Sequence, residues 1–219
     1  MPSLLYRAAR YGYFTAQERL RPLLGEGFEL DGRHYRYFYS HRGMTWRTER
    51  IVEVPLALEF LARHRGKRVL EVGNVMRQYG ETGHTVVDKY ERAPGVINED
   101  AATFTAARFD AILSISTLEH VGYSEAPSAP DKFRLAVETI VSWLAPEGRL
   151  VFTVPLGYNP AVGEYLASDP ACVTSTRWMR RVTIDNLWRQ TDREDALGAR
   201  YDHPWPGGNA IAIVAARRA

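Results

Sequence analysis

Cysteine is nearly absent from this chain, with Cys172 alone in 219 residues. A lone thiol excludes an internal disulfide and any metal centre built on cysteine pairs. No Cys–His pairing is visible that would make it a nucleophile. Lysine is scarce too: Lys67, Lys89 and Lys132 are the three, so the positive charge is mostly arginine. With 28 basic and 26 acidic residues the net charge is +2, and the whole molecule is no electrostatic trap for nucleic acid. No apolar run approaches the roughly 20 residues of a membrane span. The opening stretch, MPSLLYRAARYGYF, lacks a sustained apolar segment and a small-residue cleavage site. Its arginines resemble those of a transit peptide, but an amphipathic docking helix is the expectation there and the cytoplasm the expected compartment. No His/Asp/Glu cluster has metal-ligand spacing, so no metal is expected.

What is present is ordinary for a soluble globular protein, at 45% hydrophobic and 25% charged residues. The length suits one sizeable core with an appendage. Strand and helix signals alternate from Arg68 onward, so residues 1–66 are expected to form a helix-and-hairpin cap, a candidate lid, and 67–219 the main domain. Thr15-Ala-Gln-Glu18 has the form of a capping box before the stripe Leu20, Leu23, Leu24, and Gly25 and Gly27 end that helix. Asp31-Gly32 between Gly27–Leu30 and Arg33–Tyr39 suits a type I′ hairpin turn. Thr48 can start a helical segment through Glu53, and Pro55 the first turn of another that ends near Gly66. Strands are predicted at 68–72, 85–88, 95–98, 110–116, 148–154, 173–183 and 209–217. Helices are predicted around 75–80, 101–106, 131–145 and 183–196. The fold class is α/β, a doubly wound and mostly parallel sheet with a reversed last strand.

The chemistry-bearing residues fall where predicted strands end. Arg68-Val-Leu-Glu-Val-Gly-Asn74 is an apolar run closed by a carboxylate and a glycine, and Asp88 closes a second apolar run fifteen residues past Gly73. This is how a doubly wound sheet holds an adenosine, with the turn glycine admitting the ligand and the acid accepting from the ribose hydroxyls. Glu71 can orient water or accept from the amino end of a methionine moiety, or be only a strand-end acid. Asn74, Val75, Met76 and Arg77 stand where further glycines would approach a pyrophosphate. The pattern therefore favours a nucleoside cofactor without phosphates, S-adenosylmethionine, over a dinucleotide. Asp88 is the ribose candidate or a surface acid paired with Lys89, and Tyr90 is placed to lie near the adenine. Asp100 can accept from the adenine amino group, cap a helix, or both.

The fourth segment, Ser114-Ile-Ser-Thr-Leu-Glu119-His120-Val121, runs from a strand straight into polar residues at the switch-point crevice. His120, with an unperturbed pKa of about 6.5, can take a proton from an acceptor hydroxyl or merely line the pocket. Val154-Pro-Leu-Gly-Tyr-Asn159-Pro follows the fifth strand as a loop at the same edge, with Tyr158 and Asn159 in reach of an acceptor.

In order and spacing these segments resemble the class I S-adenosylmethionine-dependent methyltransferases. Arg68-Val-Leu-Glu-Val-Gly is similar to their first motif, Val87-Asp88 to the second, and Asn98-Glu-Asp100-Ala to the adenine-contacting third. Phe109-Asp-Ala-Ile-Leu-Ser-Ile-Ser-Thr-Leu-Glu-His-Val is similar to the fourth, and Leu144-Ala-Pro-Glu-Gly-Arg-Leu-Val to the passage into the fifth strand. The resemblance covers roughly two thirds of the chain, counting the C-terminal strands. It departs at the missing second and third glycines and at a short first helix. It implies a seven-stranded sheet and methyl transfer from S-adenosyl-L-methionine. Together the motifs nominate Glu71, Gly73, Asn74, Asp88, Lys89, Asp100, Ala101, Ser116, Leu118 and Glu119 for the cofactor and His120 for proton removal.

For the acceptor, Tyr39, Trp46 and Arg47 of the appendage join Tyr158 and Asn159 as candidates. Tyr35, Tyr37 and Phe38 lie beside them, with His41 and Arg42 interleaved. Closed over the strand ends, this cluster would wall an acceptor site and anchor an acidic group; otherwise it cements the hairpin to the sheet. Arginines among aromatics also suit RNA, but Glu26, Glu29 and Asp31 dilute the patch. The Asn/Asp-Pro-Pro-Tyr/Phe motif of nucleic-acid amino methyltransferases is missing as well. Small-molecule O-methylation in a biosynthetic pathway is the expectation, with carboxyl and nitrogen acceptors open. A silent binding or partner subunit and an RNA methyltransferase are the alternatives, and a homodimer contact through the appendage is conceivable. No membrane partner is expected.

Overall fold

A computed structural model describes residues 12, 16, 19–105, 108–129 and 131–218. Thr15, Gln17 and Glu18 of the capping box and the segment 1–11 lie outside the described residues, and residues 101–105 hold a turn where a helix over 101–106 was predicted. The chain folds around an eight-stranded sheet, with a separate two-stranded hairpin, β1 (Gly27–Leu30) and β2 (Arg33–Arg36). The sheet strands are β3 (Val69–Val72), β4 (Thr85–Val87), β5 (Val96–Ile97), β6 (Phe109–Ile115), β7 (Leu144–Pro155), β8 (Val173–Arg181), β9 (Trp188–Thr191) and β10 (Ala210–Ala216). Their order is β5-β4-β3-β6-β7-β10-β8-β9. The run β5 to β7 is parallel, as the intervening helical segments require, and the order reverses beside β3. β10 enters antiparallel between β7 and β8 rather than at an edge.

Period-two patterning divides the two faces. Leu70, Val72 and Ile112 face one core with Phe133, Val137 and Ile140 of helix α2 (Lys132–Ser142). Val69, Ala111, Leu113 and Ile115 face the other, against Val54, Ala57 and Leu61 of helix α1 (Arg50–Arg63). Helix α1 is one continuous helix where two were predicted. Pro55 sits inside it and cannot donate to the carbonyl of Ile51. That carbonyl instead accepts from the amide of Phe38, 3.1 Å away, so the proline gap is filled by the segment leaving the hairpin.

The hairpin turn is as predicted, with Asp31 at φ 52° and Gly32 at φ 74°. Phe28, Leu30, Tyr37 and Tyr39 are buried with Ile51, Met179, Trp188 and Ile211 on the sheet face near β8–β10. Tyr37 accepts the Trp188 amide at 2.7 Å, and Tyr39 donates to Glu26 at 2.7 Å.

Three further expectations are corrected. The helix predicted at 183–196 is the edge strand β9 followed by a short helix α4 (Arg193–Leu197), which makes the sheet eight-stranded. Trp188 alone of β9 is buried, so this polar edge strand carries little apolar alternation. The loop predicted around Pro160 becomes helix α3 (Pro160–Ala167), with Pro160 in its first turn and Asn159 capping the Ala161 amide. The first crossover helix shrinks to a single 3-10 turn, Met76–Tyr79, stopped by Gly80 at φ 94°.

Candidate functional site

A cavity of about 300 Å³ opens where the parallel strands end. That lies at the lower end of the roughly 300–1,000 Å³ usual for small-molecule pockets. Its walls come from consecutive strand ends: Val72 and Gly73 after β3, Val87 to Glu91 after β4, and Glu99 to Ala101 after β5. Ser116, Thr117, His120, Val121, Ser124 and Glu125 complete it after β6. Ligands gather in this crevice in open α/β sheets, because neighbouring crossovers part there. Five lining side chains are acidic (Asp88, Glu91, Glu99, Asp100, Glu125) against one lysine, Lys89. Such a lining repels a polyphosphate and suits a cationic or neutral nucleoside.

Gly73, at φ 90°, is required twice over. A Cβ there would stand 2.3 Å from Thr117 Oγ1, so the glycine lets the β3 turn close against the loop after β6. Asp88 builds the adjoining wall. Its Oδ2 accepts the Asn74 amide at 3.2 Å, and its Oδ1 the amides of Tyr90 and Glu91 at 2.8 and 2.7 Å. Tyr90, 68% exposed, lies at the cavity edge with the Lys89 ammonium 5.2 Å from its ring centre.

Asp100 and Glu125 close the opposite side through lysines. Lys89 reaches Asp100 at 2.9 Å and Glu125 at 3.0 Å, while Lys132 binds Asp100 at 2.6 Å and also pairs with Glu125. Partial burial raises the Asp100 pKa, but the hydrogen bonds from Lys132, Lys89 and the Ala102 amide outweigh it and hold the pKa at about 2. Lys89 therefore pairs with these two acids, not with its neighbour Asp88.

Glu71 lies behind the cavity rather than in it. Its buried carboxyl accepts the amides of Val75 and Met76, both at 2.8 Å, and meets His84 Nε2 at 2.7 Å. The carboxylate thus holds the turn that lacks the second and third glycines, with a His84 side chain only 4% exposed as its partner. Asn74 is also buried, its amide nitrogen on Glu91 at 2.9 Å.

His120 lines the cavity with its side chain 52% exposed. Its Nδ1 is 3.0 Å from Ser124 Oγ, which is 2.9 Å from the Tyr158 hydroxyl. Its Nε2 is 3.5 Å from Glu119 Oε1. Partial burial, and then the charge of Arg50, lower the imidazole pKa below its ordinary value. Ser116, at φ 36°, is held in this left-handed conformation by Glu53, which accepts its hydroxyl at 2.6 Å, and by Arg50, which donates to its carbonyl. Glu53 and Glu119 are fully buried, and burial pushes both pKa values up.

Of the residues nominated from sequence, the cavity gathers Gly73, Asp88, Lys89, Asp100, Ala101, Ser116 and His120. Glu71, Asn74, Leu118 and Glu119 are buried outside its lining. Tyr158 stands beside it through Ser124 and the His120 ring, 5.1 Å between centres. Asn159 is buried, capping α3 and donating to the Glu119 carbonyl at 2.9 Å. Tyr39, Trp46 and Arg47 are not among the cavity residues; Tyr39 is packed in the hairpin cluster, and the Arg47 guanidinium lies over the Trp46 ring. Sequence reasoning had not nominated Glu91, Glu99, Ser124 or Glu125. Glu91 and Glu99 neighbour strand ends and were findable on that ground; Ser124 and Glu125 enter through the tertiary fold. Among the described residues no group of three or more His, Cys, Asp or Glu is placed to hold a metal ion, and no helix is long and apolar enough to cross a membrane.

No family model matches the chain, and neither does any curated protein. Solved structures do match. The N-methyltransferase NodS of Bradyrhizobium japonicum WM9, solved with S-adenosyl-L-homocysteine, superposes at TM-score 0.50 and 15% identity, over 78% of this chain and 87% of that one. The 1,6-didemethyltoxoflavin-N1-methyltransferase of Burkholderia thailandensis gives TM-score 0.47 at 16% identity, over 100% of this chain and 91% of that one. Magnesium protoporphyrin IX methyltransferase of Synechocystis PCC 6803 gives 0.43 at 11% identity, over 76% and 78%. With its mostly parallel sheet and antiparallel C-terminal strands, this chain has the fold of the class I S-adenosylmethionine-dependent methyltransferases.

Proposed function

We propose that the protein transfers a methyl group from S-adenosylmethionine to a hydroxyl of a small-molecule acceptor, in the cytoplasm. The observation that carries this reading is the acid-lined cavity with a half-exposed histidine in its wall. Asp88 and Glu91 would hold the ribose, and Tyr90 and Ala101 would flank the adenine. When bound, the cofactor supplies a methyl carbon already activated on a sulfonium, which leaves alignment, water exclusion and proton removal to the protein.

His120 supports the last of these. In the tautomer that donates Nδ1–H to Ser124, Nε2 is left as the base. A lowered pKa keeps it neutral near pH 7, ready to accept the hydroxyl proton as the carbon–oxygen bond forms. A free Cys172 thiol fits a reducing compartment.

The test is turnover. The protein is incubated with S-adenosylmethionine and a panel of hydroxylated small molecules, and products are read by mass spectrometry. A methylated product that falls sharply in His120→Ala supports the reading. A product undiminished by that change, or methylation of RNA alone, contradicts it.

A further inference from the structure

We infer that the acceptor carries a protonated amine, seated against Tyr123, Tyr158 and Tyr201 in front of the carboxyl groups of Glu119 and Glu53. This rests on the methyl-transfer reading and names the acceptor's charge. The first observation is a pair of orphaned oxygens. Oε2 of Glu53 and Oε2 of Glu119 are buried without a hydrogen-bond partner, in side chains 0% and 3% exposed. A buried acceptor left unpaired is costly, and a core that needed only filling would hold an apolar residue there.

Both carboxyls stand directly behind the cavity wall. Glu119 reaches it through His120, 3.5 Å from Nε2, and Glu53 through Ser116, whose hydroxyl it accepts at 2.6 Å. The nearby cation answers them only in part, through a long ion pair with Glu53 Oε2. Arg50 spends its guanidinium on the carbonyls of Ile115 and Ser116 at 3.0 and 3.4 Å, and stops 3.7 Å from Glu53. A third acid, Glu49, adds negative charge that both carboxyls feel, while one of its own oxygens accepts the Gly208 amide at 3.1 Å.

The second observation is aromatic. Tyr158 is packed edge-on against Tyr123 and Tyr201, with ring centres 5.3 and 5.0 Å apart, and against His120. Gly157 makes this possible: at φ 76°, a Cβ would meet the Ala199 carbonyl at 2.6 Å and the Tyr201 amide at 2.8 Å. Tyr158 ties the cluster to the acids, since its ring lies 5.1 Å from that of His120, whose Nε2 is 3.5 Å from Glu119 Oε1. Tyrosine rings close to buried carboxyls favour an ammonium over an anion. A bound ammonium would supply the missing counter-charge and let the carboxyls ionise.

The experiment measures binding of benzylamine and its neutral counterpart benzyl alcohol to the protein saturated with S-adenosylhomocysteine, by calorimetry or ligand-observed NMR. Benzylamine is expected to bind about tenfold tighter or more. That preference is expected to vanish in Glu119→Gln and to shrink in Tyr158→Leu, with retained S-adenosylhomocysteine binding marking each variant as folded. Equal affinities, no benzylamine binding, or a preference that survives Glu119→Gln in a folded variant would overturn the proposal while the cofactor reading stands. A wild type that fails to bind S-adenosylhomocysteine would overturn the cofactor reading first, and this proposal with it.

Discussion

Tyr37 and Tyr39 leave the hairpin, while Tyr123, Tyr158 and Tyr201 pack together beside the cavity residues His120 and Ser124; both regions mix tyrosines with charged neighbours, and their surroundings differ. In the first, ring and hydroxyl are both spent. Tyr37 is stacked on Phe28 at 5.6 Å, its hydroxyl accepts the Trp188 amide, and the Tyr39 hydroxyl is committed to Glu26. In the second, Tyr123 is 45% exposed, and the acids behind the cluster keep unpaired oxygens. Composition does not separate the two clusters; what they touch does, since the Tyr39 hydroxyl ends on Glu26 beside the hairpin and the Tyr158 hydroxyl on Ser124, a cavity residue.

Changes on the two sides should therefore fail in different currencies, activity on one and stability on the other. The largest effect is expected from His120→Ala, which should lower kcat about 10²–10⁴-fold with the fold intact. The wild-type rate should also fall on acidification, with its acid limb below pH 6.5, because a base with a lowered pKa is neutral and competent above that pKa and protonated below it. An acid limb displaced above pH 6.5 would speak against His120 as the base. Next, His84→Ala should weaken cofactor affinity about tenfold and cost about 1–3 kcal/mol of stability, since it leaves the Glu71 carboxyl buried with one partner fewer. Chemical denaturation and titration on one sample check both. Tyr37→Phe should cost about 1–3 kcal/mol by stranding the buried Trp188 amide, with cofactor affinity unchanged. If it instead weakened cofactor binding, the two regions would not be separable. Least of all, Tyr123→Phe should move stability by no more than about 0.5 kcal/mol, since the ring stays and an exposed hydroxyl is lost.

Much of the architecture between Val69 and Pro155 was legible because β3, β4 and β6 are short, largely apolar runs followed at once by Gly73, Asp88 and Ser116. Two elements escaped. Before and in α3, Gly157 and Pro160 read as loop residues, although asparagine followed by proline is also a helix start. β9 has one buried residue, too few for a pattern to register. At the site, Gly73, Asp88 and Asp100 were legible because strand ends of this topology converge on one crevice. Glu71 was not, because sequence gives the position of a strand-end acid but not the direction in which it turns; here it turns inward to hold the glycine-poor loop. The lysine bridges from Lys89 and Lys132 to Asp100 and Glu125, and the meeting of Tyr158 with Tyr201, join residues too far apart in sequence for any local signal.

The central claim is that the acid-lined cavity holds S-adenosylmethionine through Asp88. Calorimetric titration of S-adenosylmethionine and S-adenosylhomocysteine into the wild type and into Asp88→Ala tests it most directly. The account predicts micromolar binding to the wild type and a loss of at least about a hundredfold in the variant, whose fold is checked by circular dichroism. No binding to the folded wild type, or equal binding to both proteins, would contradict it.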